Sequence, residues 1–200
     1  MKFLKKQKLA AQISILISII TITGLFFLWG IVTHNVSTAV KTNLTNQMMD
    51  AVKSRAAIIN NYVTSAEEYM SAFALSNEVR NLLHDPENAE LLEQVQQYTE
   101  DFAAIKGIFE GLYIASPETR VLTHTEKKAV GMVTRPDDSL APFQNTILAQ
   151  PKLTNLGIMK SPGTGAMILS MYYPIFEDQH CIGYVGAGVF ASNLMDSLLE

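Results

Sequence analysis

One apolar segment near the N-terminus constrains this chain more than any other feature. Residues 9–32 contain no Asp, Glu, Lys or Arg, and the next such residue after Lys8 is Lys41. As a helix, this segment would extend roughly 36 Å, which exceeds the ~30 Å hydrocarbon thickness of a bilayer. A core helix of a soluble protein seldom needs Ile, Leu and Phe on every face. We therefore predict a transmembrane helix over residues 9–32.

The flanking residues predict how this segment is oriented. Residues 33–40, which follow the segment, carry no Lys or Arg. Four lysines precede the segment: Lys2, Lys5, Lys6 and Lys8. By the positive-inside rule, residues 1–8 are then cytoplasmic and the chain from about residue 33 onward is extracytoplasmic. A cleaved signal peptide is the main alternative. The apolar run exceeds the usual ~7–15 residues of such a peptide, and no small-x-small cleavage site closely follows Trp29, so we favour an uncleaved anchor.

The composition of the remainder narrows the classes of function. The net charge is −4, and because the four N-terminal lysines contribute +4, the rest of the chain carries −8. This acidic balance argues against nucleic acid as a partner and against a second membrane-binding surface. Cys181 is the only cysteine, which excludes an internal disulfide and a cysteine-rich metal site.

Residues 33–106 have a helical pattern. Apolar residues recur at spacings of three and four from Val36 to Phe73, which predicts one long amphipathic helix continuous with the transmembrane one. Two shorter helices are predicted over residues 78–84 and 86–106, the second with Asp85 as its N-cap. The long apolar stripe can pack on its own domain along one part. Along another part we expect a membrane-proximal homodimer contact.

From residue 107 the pattern changes to strands. Five are predicted, with a helix over residues 139–150 inserted after the second and a terminal helix from Leu194: the strands cover residues 107–116, 121–125, 152–160, 166–176 and 181–190. Successive hairpins give antiparallel order. The predicted fold class is therefore α+β, a five-stranded antiparallel sheet of the PAS-like kind with an inserted helix.

Two long segments carry a resemblance to a known family. GLYIASPETRVLTHTEKKAVGMVTRPDDS and MILSMYYPIFEDQHCIGYVGAGVF, following an anchor and a long helix, resemble the extracytoplasmic Cache sensor domains of bacterial methyl-accepting chemotaxis receptors and related transmembrane signalling proteins. The resemblance covers nearly the whole chain. It implies that residues 107–200 form a PAS-like Cache module which binds a small molecule outside the bacterial cell membrane, and that the long helix carries the signal inward.

The same resemblance sets expectations about what is missing. Cache receptors have a second transmembrane helix leading to a cytoplasmic output domain, and neither occurs before Glu200, so we expect the front part of a longer receptor. Cache modules that recognise amino acids use a Tyr, an Arg and a Trp near the inserted helix. Here the only tryptophan is Trp29, inside the predicted membrane segment. The ligand is left open between an amino acid and a small carboxylate.

Arg135 is the first candidate for a ligand-binding residue. Its guanidinium offers a planar fork of donors suited to a carboxylate, and it lies between the second strand and the inserted helix, where the resemblance places the pocket. A local ion pair with Asp137 or Asp138, or a place in a solvated loop, is the alternative. Four polar-tipped residues complete the predicted site: Tyr113, Thr123, Thr134 and Tyr173. Of the neighbours Tyr172 and Tyr173, only one can face the pocket, because adjacent residues in a strand point to opposite sides.

No catalytic, metal or cofactor site emerges from the sequence. His124 is interpreted as a hydrogen-bonded strand histidine, and GYVGAG lacks the Lys-Ser/Thr of a phosphate loop, so its glycines indicate close packing or a bulge. We therefore predict a non-enzymatic sensor, the membrane-anchored sensory part of a chemoreceptor or transmembrane signal transducer. The alternative is a stand-alone anchored interaction protein that dimerises with, or modulates, a full-length receptor.

Overall fold

The computed structural model describes residues 2–192 and 194, and the chain divides into two compact units, one up to Arg55 and one from Ala56 onward. It begins with a single 73-residue helix, α1 (Lys2–Ala74). The other elements follow in chain order: α2 (Asn77–His84), α3 (Ala89–Lys106), β1 (Phe109–Ala115), β2 (Val121–His124), α4 (Leu140–Thr146), β3 (Thr154–Lys160), β4 (Met167–Glu177) and β5 (His180–Phe190), with short 3₁₀ turns at Lys127–Ala129 and Asp137–Ser139.

Within the described residues, the first unit consists of the part of α1 up to Arg55. The side chains of residues 11–55 are all exposed. An 18-residue window of this helix has a mean hydropathy of 2.5, and none of the window is buried. By length and composition, α1 is able to cross a membrane.

The second unit is built on one antiparallel sheet. Its five strands lie in the order β2-β1-β5-β4-β3, which confirms the predicted α+β fold with a five-stranded antiparallel sheet. The β4–β5 hairpin turns at Asp178 and Gln179, whose φ angles of 46° and 68° are those of a two-residue type I′ turn. This turn fixes the register of the two longest strands, in which Tyr172 is paired with Gly186.

Helices cover one face of the sheet. The C-terminal part of α1 buries Ala66, Met70 and Phe73, at the three- and four-residue spacing of one helix face. The Phe73 ring stacks on Tyr98 of α3 at a centroid distance of 5.3 Å and lies 5.1 Å from the Phe102 ring. Burying each large apolar side chain in this layer contributes roughly 1.5–3 kcal/mol. The layer therefore holds α3 and the C-terminal part of α1 firmly on the sheet.

The prediction for the start of α3 was wrong by three residues. The helix begins at Ala89 rather than Pro86, because the Asn88 side chain accepts the N–H of Leu91 at 3.2 Å and caps it. Asp85 and Pro86 form a turn instead, closed by the Asn88 N–H on the Asp85 carbonyl at 3.3 Å.

The inserted helix and the terminal helix also differ from expectation. α4 ends at Thr146 rather than residue 150, and Ile147 and Leu148 then turn into a buried cluster on the second face of the sheet. Apart from Leu194, the predicted terminal helix falls outside the described residues.

Candidate ligand-binding site

An aromatic cluster occupies the face of the sheet opposite the helices. Leu112 and Ile114 of β1 pack into the helical layer, so Tyr113 between them points to the second face. There the centroid of its ring lies 6.1 Å from that of Tyr184 on β5. The Tyr184 ring in turn lies 6.1 Å from the ring of Tyr172 on β4 and 5.3 Å from that of Phe143 on α4. We call this group, together with the loop residues that contact it, the tyrosine cluster: Tyr113, Phe143, Tyr172, Tyr184, Thr134 and Arg135.

Strand register brings the three tyrosines together. Gly186 on the central strand β5 is paired with Tyr113 on one side and with Tyr172 on the other. A Cβ atom on Gly186 would overlap the Tyr113 ring, so this ring lies directly against the glycine backbone. On the same strand, a Cβ on Gly188 would come within 2.9 Å of the Glu110 carboxylate. The glycines of GYVGAG therefore serve close packing, as the sequence predicted.

Arg135 supplies the positive charge of the cluster. One guanidinium nitrogen donates to the Tyr172 hydroxyl at 3.2 Å and another to the Thr134 carbonyl at 3.1 Å. The guanidinium carbon lies 5.2 Å from the centroid of the Phe143 ring, within range of a cation–π interaction. Among residues 2–192 and 194, no carboxylate lies within 4 Å of it. The structure therefore does not contain the ion pair with Asp137 or Asp138 that the sequence left open.

The loop that carries Arg135 is fixed at both of its site residues. The Thr134 hydroxyl lies 3.2 Å from the Tyr184 hydroxyl. The backbone N–H of Arg135 donates to the hydroxyl of Thr119, in the β1–β2 turn, at 3.0 Å. These two hydrogen bonds hold the loop between β2 and α4 against the sheet at Thr134 and Arg135.

Burial keeps two tyrosines of the cluster, Tyr113 and Tyr184, in the neutral form. Burial raises the pKa of Tyr184 to about 12. Burial, followed by the neighbouring Tyr172 and Tyr184 hydroxyls, raises the pKa of Tyr113 well above its usual value. These phenols can donate as well as accept hydrogen bonds. With Arg135 as the cation, the arrangement suits the carboxylate of a ligand.

Three of the five predicted site residues come together, and two do not. Tyr113, Thr134 and Arg135 belong to the tyrosine cluster. Thr123 lies in the helical layer, fully buried, with its hydroxyl 3.0 Å from that of Thr99 in α3. Tyr173 packs against the same layer, because Tyr172 takes the opposite face of β4. Thr123 and Tyr173 are therefore removed from the candidate site, and Tyr172 replaces Tyr173.

His124 flanks the cluster. Its ring stacks on Tyr113 at 5.3 Å, and its Nδ1 accepts the N–H of Glu126 at 2.7 Å. Burial lowers the pKa of this histidine, so the ring is neutral at physiological pH. The structure thus confirms the hydrogen-bonded strand histidine that was predicted.

Two open cavities in the described residues are not lined by the cluster tyrosines. The nearer one, of about 430 Å³, lies between the end of α4 and the start of β3 and shares Ile147 with the cluster wall. The other, of about 400 Å³, lies on the outer surface of α3. The cluster rings pack against one another at centroid distances of 5.1–6.1 Å, so a ligand can enter between them only when at least one ring moves aside.

The fold is similar to those of several solved structures. The sensor domain of the V. cholerae histidine kinase DctB is similar with a TM-score of 0.66 and 10% sequence identity, over 80% of this chain and 60% of that domain. The sensory domain of the Campylobacter jejuni chemoreceptor Tlp3, with isoleucine bound, gives 0.61 and 12% over 82% of this chain and 66% of that one. The E. coli DcuS sensor domain is similar with a TM-score of 0.53 and 18% sequence identity, over 73% of this chain and 98% of that domain.

These likenesses establish the fold. The chain has the PAS-like fold of Cache sensor domains, which confirms the expected architecture, and it spans about 60% of the DctB domain and 66% of the Tlp3 domain. In sequence, no protein-family model matches the chain and no curated protein is similar to it.

Proposed function

We propose that this chain is the membrane-anchored sensory part of a chemoreceptor or a related transmembrane signal transducer, and that its tyrosine cluster binds a small carboxylate-bearing ligand outside the cell. One observation carries the proposal. In a fold shared with sensor domains, Arg135 is partly buried among aromatic rings without a carboxylate partner in the described residues. Burying a guanidinium is costly unless an anion compensates for it, and a bound carboxylate would do so.

The surroundings of Arg135 support a ligand of this chemistry. The guanidinium can hold a carboxylate through two parallel hydrogen bonds, and the hydroxyls of Tyr172 and Tyr184 can contribute further ones. Phe143, Ile147 and Leu148 supply an apolar wall. The Tlp3 domain has been determined with isoleucine and with valine, which are small carboxylates with branched apolar side chains. A small carboxylate with an apolar portion fits this combination best.

A ligand screen tests this proposal. The full chain in lipid nanodiscs is heated with propionate, pyruvate, succinate, L-valine or L-isoleucine, and with propionamide as the matched neutral control. At least one carboxylate is expected to raise the unfolding temperature, because a ligand that binds only the folded state stabilises it. Propionamide should not. The proposal fails if no carboxylate stabilises the protein, or if the amide stabilises it as much as propionate.

The anchored orientation forms part of the proposal. Lysines precede the apolar segment and none follows it directly, which supports a cytoplasmic N-terminus. In a Cys181→Ser background, a membrane-impermeant maleimide should label Asn46→Cys in intact cells and Lys5→Cys only after permeabilisation. The opposite pattern would overturn the orientation.

A homodimer through α1 completes the proposal. The stripe from Val36 to Val52 is unpartnered in the described single chain, with its five apolar side chains 49–69% exposed: Val36, Val40, Leu44, Met48 and Val52. A second copy of the same helix would cover this stripe. In membranes, oxidation should link Leu44→Cys into dimers, whereas the matched variant Asn46→Cys on another face should remain monomeric. Equal yields from the two variants would contradict the dimer.

A further inference from the structure

The β1–β2 turn contains a residue in an unfavourable backbone conformation. The Thr119 N–H donates to the Ser116 carbonyl at 2.9 Å, and the Ser116 N–H donates to the Arg120 carbonyl at the same distance. This is the hydrogen-bond pattern of a hairpin whose tight turn is followed by one residue in the left-handed region, a position that favours glycine. Thr119 takes it with a φ of 66°. A β-branched side chain is an outlier there.

The side chain of Thr119 contacts the loop that carries the candidate site. Thr119 is fully buried, and its hydroxyl accepts the backbone N–H of Arg135 at 3.0 Å. Its carbonyl accepts the backbone N–H of Thr134 at 2.9 Å. The two consecutive residues that hold Tyr172 and Tyr184 are therefore attached to this one turn residue.

The hydroxyl explains why threonine stands where glycine would be less strained. Glycine would adopt this φ freely and would keep the backbone bond to Thr134, but it would leave the Arg135 N–H without the hydroxyl as acceptor. Backbone strain that persists in a folded protein is a reason to look for a function at that position. We propose that Thr119 is a positioning residue, which directs the Arg135 guanidinium towards Tyr172 and the face of Phe143. This inference rests on the proposed function, because it concerns the residue to which we assign the carboxylate.

The test separates positioning from simple support of the turn. Thr119→Gly removes both the hydroxyl and the strain, while the matched variant Thr119→Ser keeps the hydroxyl without the β-methyl group. The full chain in nanodiscs is treated with phenylglyoxal, which modifies arginine, and the rate at Arg135 is measured by mass spectrometry relative to exposed Arg80 in the same sample. The unfolding temperature of each variant is measured in parallel.

We expect stability and reactivity to change independently. Thr119→Gly should unfold at the wild-type temperature or above it, since the strain is gone. Its Arg135 should react about fivefold faster, as the loss of one hydrogen bond allows. Thr119→Ser should react at the wild-type rate.

Three results would overturn the inference. The first is a wild-type reaction rate at Arg135 in Thr119→Gly. The second is a Thr119→Ser variant whose Arg135 reacts as fast as that of Thr119→Gly. The third is a clearly lower unfolding temperature for Thr119→Gly, which would make Thr119 a support of the turn. Because phenylglyoxal reports on the arginine without any ligand, these outcomes are independent of the carboxylate screen. Failure of the proposed function would instead appear as a wild-type protein that no carboxylate stabilises.

Discussion

Gly186 determines the shape of the site because it lacks a side chain. The Tyr113 ring occupies the space that a Cβ atom at position 186 would need. Gly186 lies on the central strand, paired with Tyr113 on one side and with Tyr172 on the other. Any larger residue at position 186 must push the ring away from Tyr184 and His124. The conformation of the cluster thus depends on a residue that contributes no side-chain contact.

Gly186→Ala should destabilise the protein by about 1–3 kcal/mol, the usual cost of overpacking a well-packed region. Gly163→Ala is the matched control, because a Cβ there would meet its nearest atom at an ordinary 3.8 Å. Chemical denaturation measures the free energy of unfolding of both variants. Adding Tyr113→Ala to Gly186→Ala should recover part of the loss, since the two residues are in contact. A Gly186→Ala protein as stable as the wild type would refute the packing described here.

The buried tyrosines predict a loss of stability at high pH. Tyr184 has a pKa of about 12 in the folded protein, against about 10 for an unfolded tyrosine. The folded state therefore binds this proton more tightly, and the corresponding stability is complete below about pH 10 and is lost as the pH rises towards 12. Chemical denaturation at a series of pH values from about 10 to about 12 should show this decline in the free energy of unfolding.

Tyr184→Phe provides the comparison for this titration. The variant should be less stable near neutral pH, because it loses the hydrogen bond with Thr134. It should also lose less stability than the wild type as the pH is raised. The loss that remains in the variant is due to Tyr113, whose pKa is also raised by burial. If wild type and variant declined equally, Tyr184 would not be the titrating group.

At the scale of elements, Gln96 of α3 shields the edge strand β2. Its side-chain amide accepts the His124 N–H at 3.1 Å and donates to the His124 carbonyl at 2.8 Å, as a neighbouring strand would. An edge strand with free backbone groups is otherwise open to pairing with other chains. One glutamine thus joins the helical layer to the strand that borders the site.

Gln96→Ala should lower the free energy of unfolding by about 1–3 kcal/mol, because it leaves partly buried backbone groups without partners. The His124 amide should also exchange its hydrogen faster. Gln97→Ala is the control, since Gln97 is exposed and its side chain donates to Asp101, one turn along the same helix, at 2.8 Å. Equal effects of the two substitutions would show that the contact with β2 contributes nothing.

The elements that the sequence predicted well are those with one clear pattern. The stripe of α1 has a helical period over its whole amphipathic length, and both α1 and α3 were predicted as helices. The start of α3 was misplaced because two capping signals lie three residues apart, and the side chain of Asn88 makes the actual cap. The choice between Tyr172 and Tyr173 could not be made from β4, which is apolar on both faces and shows no alternation.

For the whole molecule, the order of the strands was the missing information. The tyrosine cluster joins the loop at Arg135 to Tyr184 because β5 lies between β1 and β4. Hairpins predict only neighbours in sequence, so the pairing of β1 with β5 was not predictable from local patterns. Tyr184 and Phe143 were therefore absent from the predicted site. The glycines of β5 were the available clue, since they indicated close approach on that strand.

The central claim is tested most directly by calorimetric titration. The best carboxylate from the screen is titrated into the full chain in nanodiscs, and its affinity is compared for the wild type, Arg135→Ala and Arg80→Ala. Arg80 is exposed on α2 and serves as the matched loss of charge. We predict that Arg135→Ala weakens binding by about 10- to 100-fold, the effect of losing charge-assisted hydrogen bonds, whereas Arg80→Ala binds like the wild type. Wild-type affinity in Arg135→Ala would contradict a carboxylate site at the tyrosine cluster.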